Sequence, residues 1–268
     1  MKQALVLSTQ QTAFSAATLQ GSIEGNLDTL AAIGYDGVEL AVRDPSLVEA
    51  AEIRRLTEAR GLEVPAIGTG QAWGEDGLSF THVDDDVRKA AVERVHDHID
   101  LAGEMGARVI IGLVRGVHPE SVTQEQAEAW LVEALTPLAQ HAERAGVGIA
   151  VEAINRYETS LVNCAADGLA LIDRVGSPAL GLLLDTFHMN IEEADMAQSI
   201  RDVGPRLFHF HVADSNRWYP GAGHIDFNTL FDTLRDIGYD GYISGEFLPK
   251  PDAETAARES YRFVKGLL

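Results

Sequence analysis

Thr123–Glu152 reads TQEQAEAWLVEALTPLAQHAERAGVGIAVE. From Thr123 to Ala145 the apolar residues Leu131, Leu135, Leu138 and Ala142 recur at helical spacing and share one face. Gly146 follows, a residue suited to the left-handed conformation that closes a helix. The run Gly148–Glu152 then has the length and apolar character of a buried strand, and it stops on a carboxylate. A helix, a glycine turn and a buried strand form one step of an α/β fold with a parallel sheet.

The same step recurs along the chain in both directions. Strands are expected at about 3–8, 37–41, 64–68, 108–113, 148–152, 180–185, 207–212 and 242–246, each followed by a helical segment. Val87–Gly106 carries a second clear stripe of Ala90, Val92, Val95, Ile99, Leu101 and Ala102. Gly34-Tyr35-Asp36-Gly37 and Gly238-Tyr239-Asp240-Gly241 precede the second and eighth strands and read as helix-to-strand turns, not phosphate loops. An open, doubly wound sheet would carry a glycine-rich fingerprint after its first strand, whereas Thr9-Gln10-Gln11-Thr12 stands there. No linker or low-complexity tract divides the chain. The expectation is one (β/α)8 TIM-barrel domain over residues 1–268, close to the usual length of about 250 residues.

Composition narrows the functional classes. Hydrophobic residues make up 46% and charged residues 23%, an ordinary globular balance. No apolar run approaches the roughly 18 residues of a membrane span, and Met1–Ser8 reads as a first strand, not a signal sequence. Cys164 is the only cysteine, which excludes an internal disulfide and a thiolate metal cage and makes a cytoplasmic location the default. The net charge of −20 argues against nucleic acid or an anionic membrane as partner.

In such a barrel the chemistry sits at the C-terminal ends of the strands. Four successive strands end on Glu152, Asp185, His211 and Glu246. Converging three carboxylates and an imidazole in a pocket without a cation would be strongly unfavourable, so one divalent metal is expected. The oxygen-rich set suits Mn²⁺, Co²⁺ or Mg²⁺. His209, two residues before His211, faces the same side at greater depth and reads as a supporting residue. Glu158, His188 and Arg217 lie on the loops that follow strands five, six and seven.

Glu152-Ala153-Ile154-Asn155-Arg156-Tyr157-Glu158, Asp185-Thr186-Phe187-His188-Met189-Asn190-Ile191-Glu192-Glu193, His209-Phe210-His211 with Arg217 six residues on, and Gly245-Glu246-Phe247 together resemble the xylose-isomerase-like barrels. Within that group they look like the ketose 3-epimerases, such as D-tagatose and D-psicose 3-epimerase. The resemblance implies that Glu152, Asp185, His211 and Glu246 hold a Mn²⁺-type ion and that Glu158, His188 and Arg217 bind a ketose. It also implies a homodimer or homotetramer, with no nucleotide cofactor. In the N-terminal half, Ala41-Val42-Arg43-Asp44-Pro45-Ser46, Ala66-Ile67-Gly68-Thr69-Gly70-Gln71-Ala72 and Ile110-Ile111-Gly112-Leu113-Val114-Arg115-Gly116 are similar to the 5-keto-L-gluconate epimerases, as is His211–Trp218. That likeness implies a small keto-sugar acid as substrate, with Gln71 in the substrate-binding set.

The implied chemistry is proton abstraction beside a carbonyl, with Glu152 and Glu246 on opposite faces of the reacting carbon and the metal as Lewis acid. A ketohexuronate needs a group to read its carboxylate. Arg115, following strand four, is the first candidate and Arg43, at the end of strand two, the second. Two other enzymes of the same superfamily remain open: an aldose–ketose isomerase and an inosose dehydratase or isomerase. An endonuclease IV-type nuclease would need a histidine-rich multi-zinc site and a basic face, and a purely binding barrel would leave acid–base groups idle.

Overall fold

The computed structural model describes residues 1–268. Every expected strand forms, with ends within two residues of those read from the sequence. They are β1 (Lys2–Ser8), β2 (Gly37–Ala41), β3 (Ala66–Gly68), β4 (Arg108–Ile111), β5 (Ile149–Glu152), β6 (Leu180–Asp185), β7 (Leu207–Val212) and β8 (Tyr242–Gly245). Each pairs in parallel with the next and β8 closes onto β1, giving a closed barrel, the TIM-barrel architecture. Two strands, β3 and β4, are two residues shorter than expected, for local reasons. Pro65 has no N–H for the ladder, so β3 starts at Ala66. Gly112 leaves extended geometry at ψ −123°, so β4 stops and Leu113–Arg115 turns as a 3-10 segment.

The helices are α1 (Ile23–Ile33), α2 (Ala50–Glu58), α3 (Gly70–Gly74), α4 (Asp85–Met105), α5 (Gln124–Ala145), α6 (Ala165–Val175), α7 (Thr186–Glu192), α8 (Met196–Val203), α9 (Phe227–Asp236) and α10 (Ala253–Lys265). Their ends carry the expected signals. Thr123 accepts from Gln126 N at the start of α5, and Gly34 ends α1 at φ 112° with its N–H on Leu30 O. A side-chain N-cap of this kind contributes about 1 kcal/mol. No helix is long and apolar enough to cross a membrane.

The larger apolar core lies between the strands and the surrounding helices, with Leu5, Leu40, Val109, Val151 and Leu184 from the barrel and Leu27, Ile99, Leu135 and Ile172 from the helices. A small separate cluster of Ala66, Ile110, Ala150 and Leu183 fills the lumen. Side chains alternate along a strand, so the position two residues beyond Ala150 is again inside, and so is the one beyond Leu183. Those positions are Glu152 and Asp185. Between β6 and β7 the register shifts, so Leu182 faces Leu207 while Leu183 faces His209. The shift accommodates Phe208, whose ring lies where a Cβ on Gly181 would come within 2.3 Å. His209 and His211 thereby share the lumen with the carboxylates.

Candidate active site

Glu152, Asp185 and His211 are almost fully buried at the C-terminal mouth of the barrel, and the Glu246 side chain is 13% exposed beside them. His211 Nδ1 stands 3.8 Å from Asp185 Oδ2 and 3.9 Å from Glu246 Oε2. One oxygen each of Glu152, Asp185 and Glu246 lies, with a nitrogen of His188, within 4.8 Å of the others. Asp185 divides its work. Oδ1 accepts from Phe187 N at 2.7 Å and His188 N at 3.2 Å, capping α7, which leaves Oδ2 for the mouth.

The electrostatics are those of a site lacking its counter-charge. Burial raises the Glu152 carboxyl well above its ordinary range, reinforced by Glu246. Burial likewise raises Asp185 above the usual carboxylate range, and it raises Glu246 to about 7, against the pull of His211 and Arg217. Glu152 Oε1 and His211 Nδ1 have no hydrogen-bond partner although both are buried. An unpartnered carboxyl oxygen and an unpartnered imidazole nitrogen at the same mouth fit a divalent cation.

Sequence reading missed the group that orients His211. Glu39, on β2 across the lumen, is 2% exposed and accepts from His209 Nε2 at 2.7 Å and from His211 Nε2 at 3.0 Å. With Nε2–H donating to Glu39, Nδ1 is the nitrogen that faces the mouth. Burial alone would lower the His211 imidazole. The Glu39 carboxylate more than reverses this and raises it to about 10, with help from Glu246 and Glu152. The signal for Glu39 was present: a lone carboxylate in the apolar run Gly37–Ala41, inward by alternation.

A cavity of about 250 Å³ opens above this group, walled by Glu158, His188 and Arg217 and, from the first half of the chain, by Phe14, Gln71 and Trp73. Arg217 Nη1 donates to Glu158 Oε1 at 2.8 Å, and its Nη2 lies 3.6 Å from Glu246 Oε2. The guanidinium also packs over the Phe187 ring at 4.9 Å. Gln71 Nε2 donates to Ser8 Oγ at 2.7 Å, leaving its buried Oε1 without a partner.

The two arginines expected to read a carboxylate are placed elsewhere. Arg115 is fully buried behind the cavity wall. It donates to backbone carbonyls: Nε to Leu161 at 2.9 Å, Nη1 to Glu152 at 2.5 Å and Nη2 to Val162 at 3.3 Å. The 3-10 turn after β4 swings its side chain inward, where it ties the end of β5 to the following loop. Arg43 turns to the rim, donating through Nε to Asp76 at 2.9 Å. Arg94 completes that cluster with Asp76 and Asp44. Neither arginine lines the cavity.

Residues 27–267 match the family model described as the xylose isomerase-like TIM barrel. The chain belongs to that family. Among its relatives is an L-ribulose 3-epimerase of Mesorhizobium japonicum, 34% identical over 87% of this chain and 78% of the relative. A D-psicose 3-epimerase of Agrobacterium fabrum is 31% identical over 81% of this chain and 76% of the relative. The solved structure of a D-allulose 3-epimerase from Methylomonas sp. in complex with D-allulose superposes with a TM-score of 0.82 at 27% identity, covering all of both chains. This member of the xylose isomerase-like family is an isomerase of the epimerase type.

Proposed function

We propose that the protein epimerises a ketose at the carbon beside its ketone, with Glu152 and Glu246 as the acid–base pair. The observation that carries this reading is the pair itself. Glu152 and Glu246 each place a carboxylate oxygen in one small cluster with Asp185 at the floor of the cavity, and His211 Nδ1 lies 3.8 Å from Asp185 and 3.9 Å from Glu246. One glutamate removes the proton from the carbon on one face, and the other returns a proton to the opposite face, which inverts the centre. Glu152, Asp185, Glu246 and His211 Nδ1 are the groups that would hold a divalent ion, Mn²⁺ in first place and Co²⁺ or Mg²⁺ otherwise. When bound, that ion supplies Lewis acidity at the ketone oxygen. His188 and Arg217 donate toward the oxygen that gains charge, and Glu158 holds Arg217 in place while accepting from a substrate hydroxyl.

The proposed substrate is a small ketose of the kind named for the relatives, D-psicose or L-ribulose. A ketohexuronate, as in the conversion of 5-keto-L-gluconate to D-tagaturonate, is the second reading. It rests on the likeness of Ala66–Ala72 and His211–Trp218 to the enzymes of that reaction, segments that contribute Thr69, Gln71 and Arg217 to the cavity wall. The test is turnover of both kinds of substrate by Mn²⁺-loaded enzyme in deuterated water. Product carrying solvent deuterium at the inverted carbon supports the two-glutamate route. Glu152→Gln and Glu246→Gln should each lose at least about 10²-fold in rate. Unlabelled product, or near-normal turnover in either variant, refutes it, and an aldose product would replace epimerisation with aldose–ketose isomerisation.

A further inference from the structure

Two histidines face the floor of the cavity, and their supports differ. His211 Nε2–H donates to Glu39, which makes Nδ1 the nitrogen that faces the carboxylates. His188 is held by Asn155, a 1% exposed residue on the loop after β5. Asn155 Nδ2 lies 2.7 Å from His188 Nδ1 and 2.9 Å from Glu158 Oε1. Asn155 Oδ1 accepts from Tyr157 N at 2.9 Å.

The direction of this amide is decided by its neighbours. Tyr157 N–H can only donate, so it requires the oxygen. Glu158 Oε1 already accepts from Arg217 and offers no proton, so it requires the nitrogen. The NH₂ group has two hydrogens, and its second one meets His188 Nδ1. His188 Nδ1 is therefore an acceptor, and the single proton of the neutral ring sits on Nε2. That nitrogen points into the cavity, 3.7 Å from Glu152 Oε1.

We propose that Asn155 is a positioning residue that fixes His188 as the Nε2–H tautomer, making it a hydrogen-bond donor to substrate and keeping it out of the metal's ligand set. His188 Nε2 is close enough to Glu152, Asp185 and Glu246 to compete as a ligand. A protonated nitrogen cannot ligate, so the tautomer decides the role. The two imidazoles are thus set in opposite senses by their outer partners, one to bind a cation and one to donate to an oxygen. The same amide holds the Glu158 carboxylate that pairs with Arg217, so one side chain aligns all three groups of the cavity wall. The consequence for catalysis rests on the epimerase reading, whereas the tautomer itself does not.

The experiment is nitrogen NMR on enzyme with ¹⁵N-labelled histidine, loaded with Mg²⁺ to avoid paramagnetic broadening. The His188 signals are assigned by their loss in His188→Gln. Wild type should show a bare Nδ1 and a protonated Nε2. Asn155→Asp keeps the oxygen for Tyr157 N, so the turn survives, but it presents an acceptor to the ring and should place a proton on Nδ1. A protonated Nδ1 in wild type, or a bare one in Asn155→Asp, overturns the proposal. Kinetics give the second readout. Asn155→Leu should lower kcat about 10- to 100-fold. Added to His188→Gln it should lose clearly less than the product of the two single losses, because much of its effect runs through that ring and only the part through Glu158 remains. Losses that multiply in the double variant overturn the proposal. If wild type turns over no ketose, the epimerase reading fails and the NMR result still decides the tautomer.

Discussion

Replacing Arg115 by Met separates the carboxylate-reading role expected from the sequence from the structural role that the fold gives it. A carboxylate-reading arginine would cost specificity for an acid and leave the barrel intact. The buried arginine seen here should do the reverse. Its donors serve the carbonyls of Leu161, Glu152 and Val162. Methionine keeps much of the apolar bulk, so the cavity contribution is small. The buried Leu161 and Glu152 carbonyls lose a charged donor, each at a cost of about 1–3 kcal/mol, while the half-buried Val162 carbonyl keeps the Ile154 N–H. Partial relaxation leaves a net loss of about 2–4 kcal/mol. For a chain of this size that is a fall in Tm of roughly 4–16 °C. The assay is thermal unfolding by circular dichroism at a fixed scan rate, together with kcat/KM on a ketohexuronate and on the matching neutral ketose. The structure requires a lower Tm and equal proportional losses on the two substrates. An unchanged Tm with a loss of about 30- to 150-fold on the acid alone would show that Arg115 reads the substrate and would refute this placement.

Chelation should lower Tm and abolish turnover, with Mn²⁺ or Co²⁺ restoring both, because a cation that binds only the folded site stabilises it by mass action; a Tm unmoved by chelation and reloading counts against a preformed site. Glu39→Gln should weaken Mn²⁺ binding about 10- to 100-fold in a titration followed by electron paramagnetic resonance, since it removes the charge and leaves one acceptor oxygen for both His209 and His211; wild-type affinity would mean that His211 needs no such support. Asp214 accepts from Ser215, Gly221 and Ile225 N–H groups and so shapes the loop that carries Arg217 at φ 60°; Asp214→Ala should raise KM and loosen Arg217 from Glu158, and an unchanged KM would refute that coupling. The Asp76 carboxyl is held below its ordinary value, first by its hydrogen bond from Arg43. A depressed folded pKa stabilises above the unfolded value of about 3.9 and is lost as pH falls through the lowered value. Asp76→Asn should therefore lower stability at neutral pH and flatten the acid limb of a Tm–pH profile, and parallel profiles would refute the assignment.

The sequence by itself determined the barrel, its strand ends and the residues gathered at its mouth. Those features follow from short-range chemistry. An apolar run that stops on Glu152 or Asp185 can be read one strand at a time, and the glycine closing each helix marks where the next strand begins. Only the tertiary structure decided what each side chain does once closure brings distant strands together. Glu39 meets His209 and His211 across 170 and 172 positions of sequence, so nothing local announced the pairing. Arg115 and Arg217 both lie on loops at the catalytic rim, yet one is turned inward onto carbonyls and the other faces the cavity. Loop position can be counted from the sequence, whereas the direction of a long side chain depends on which partners the folded neighbours place within its reach.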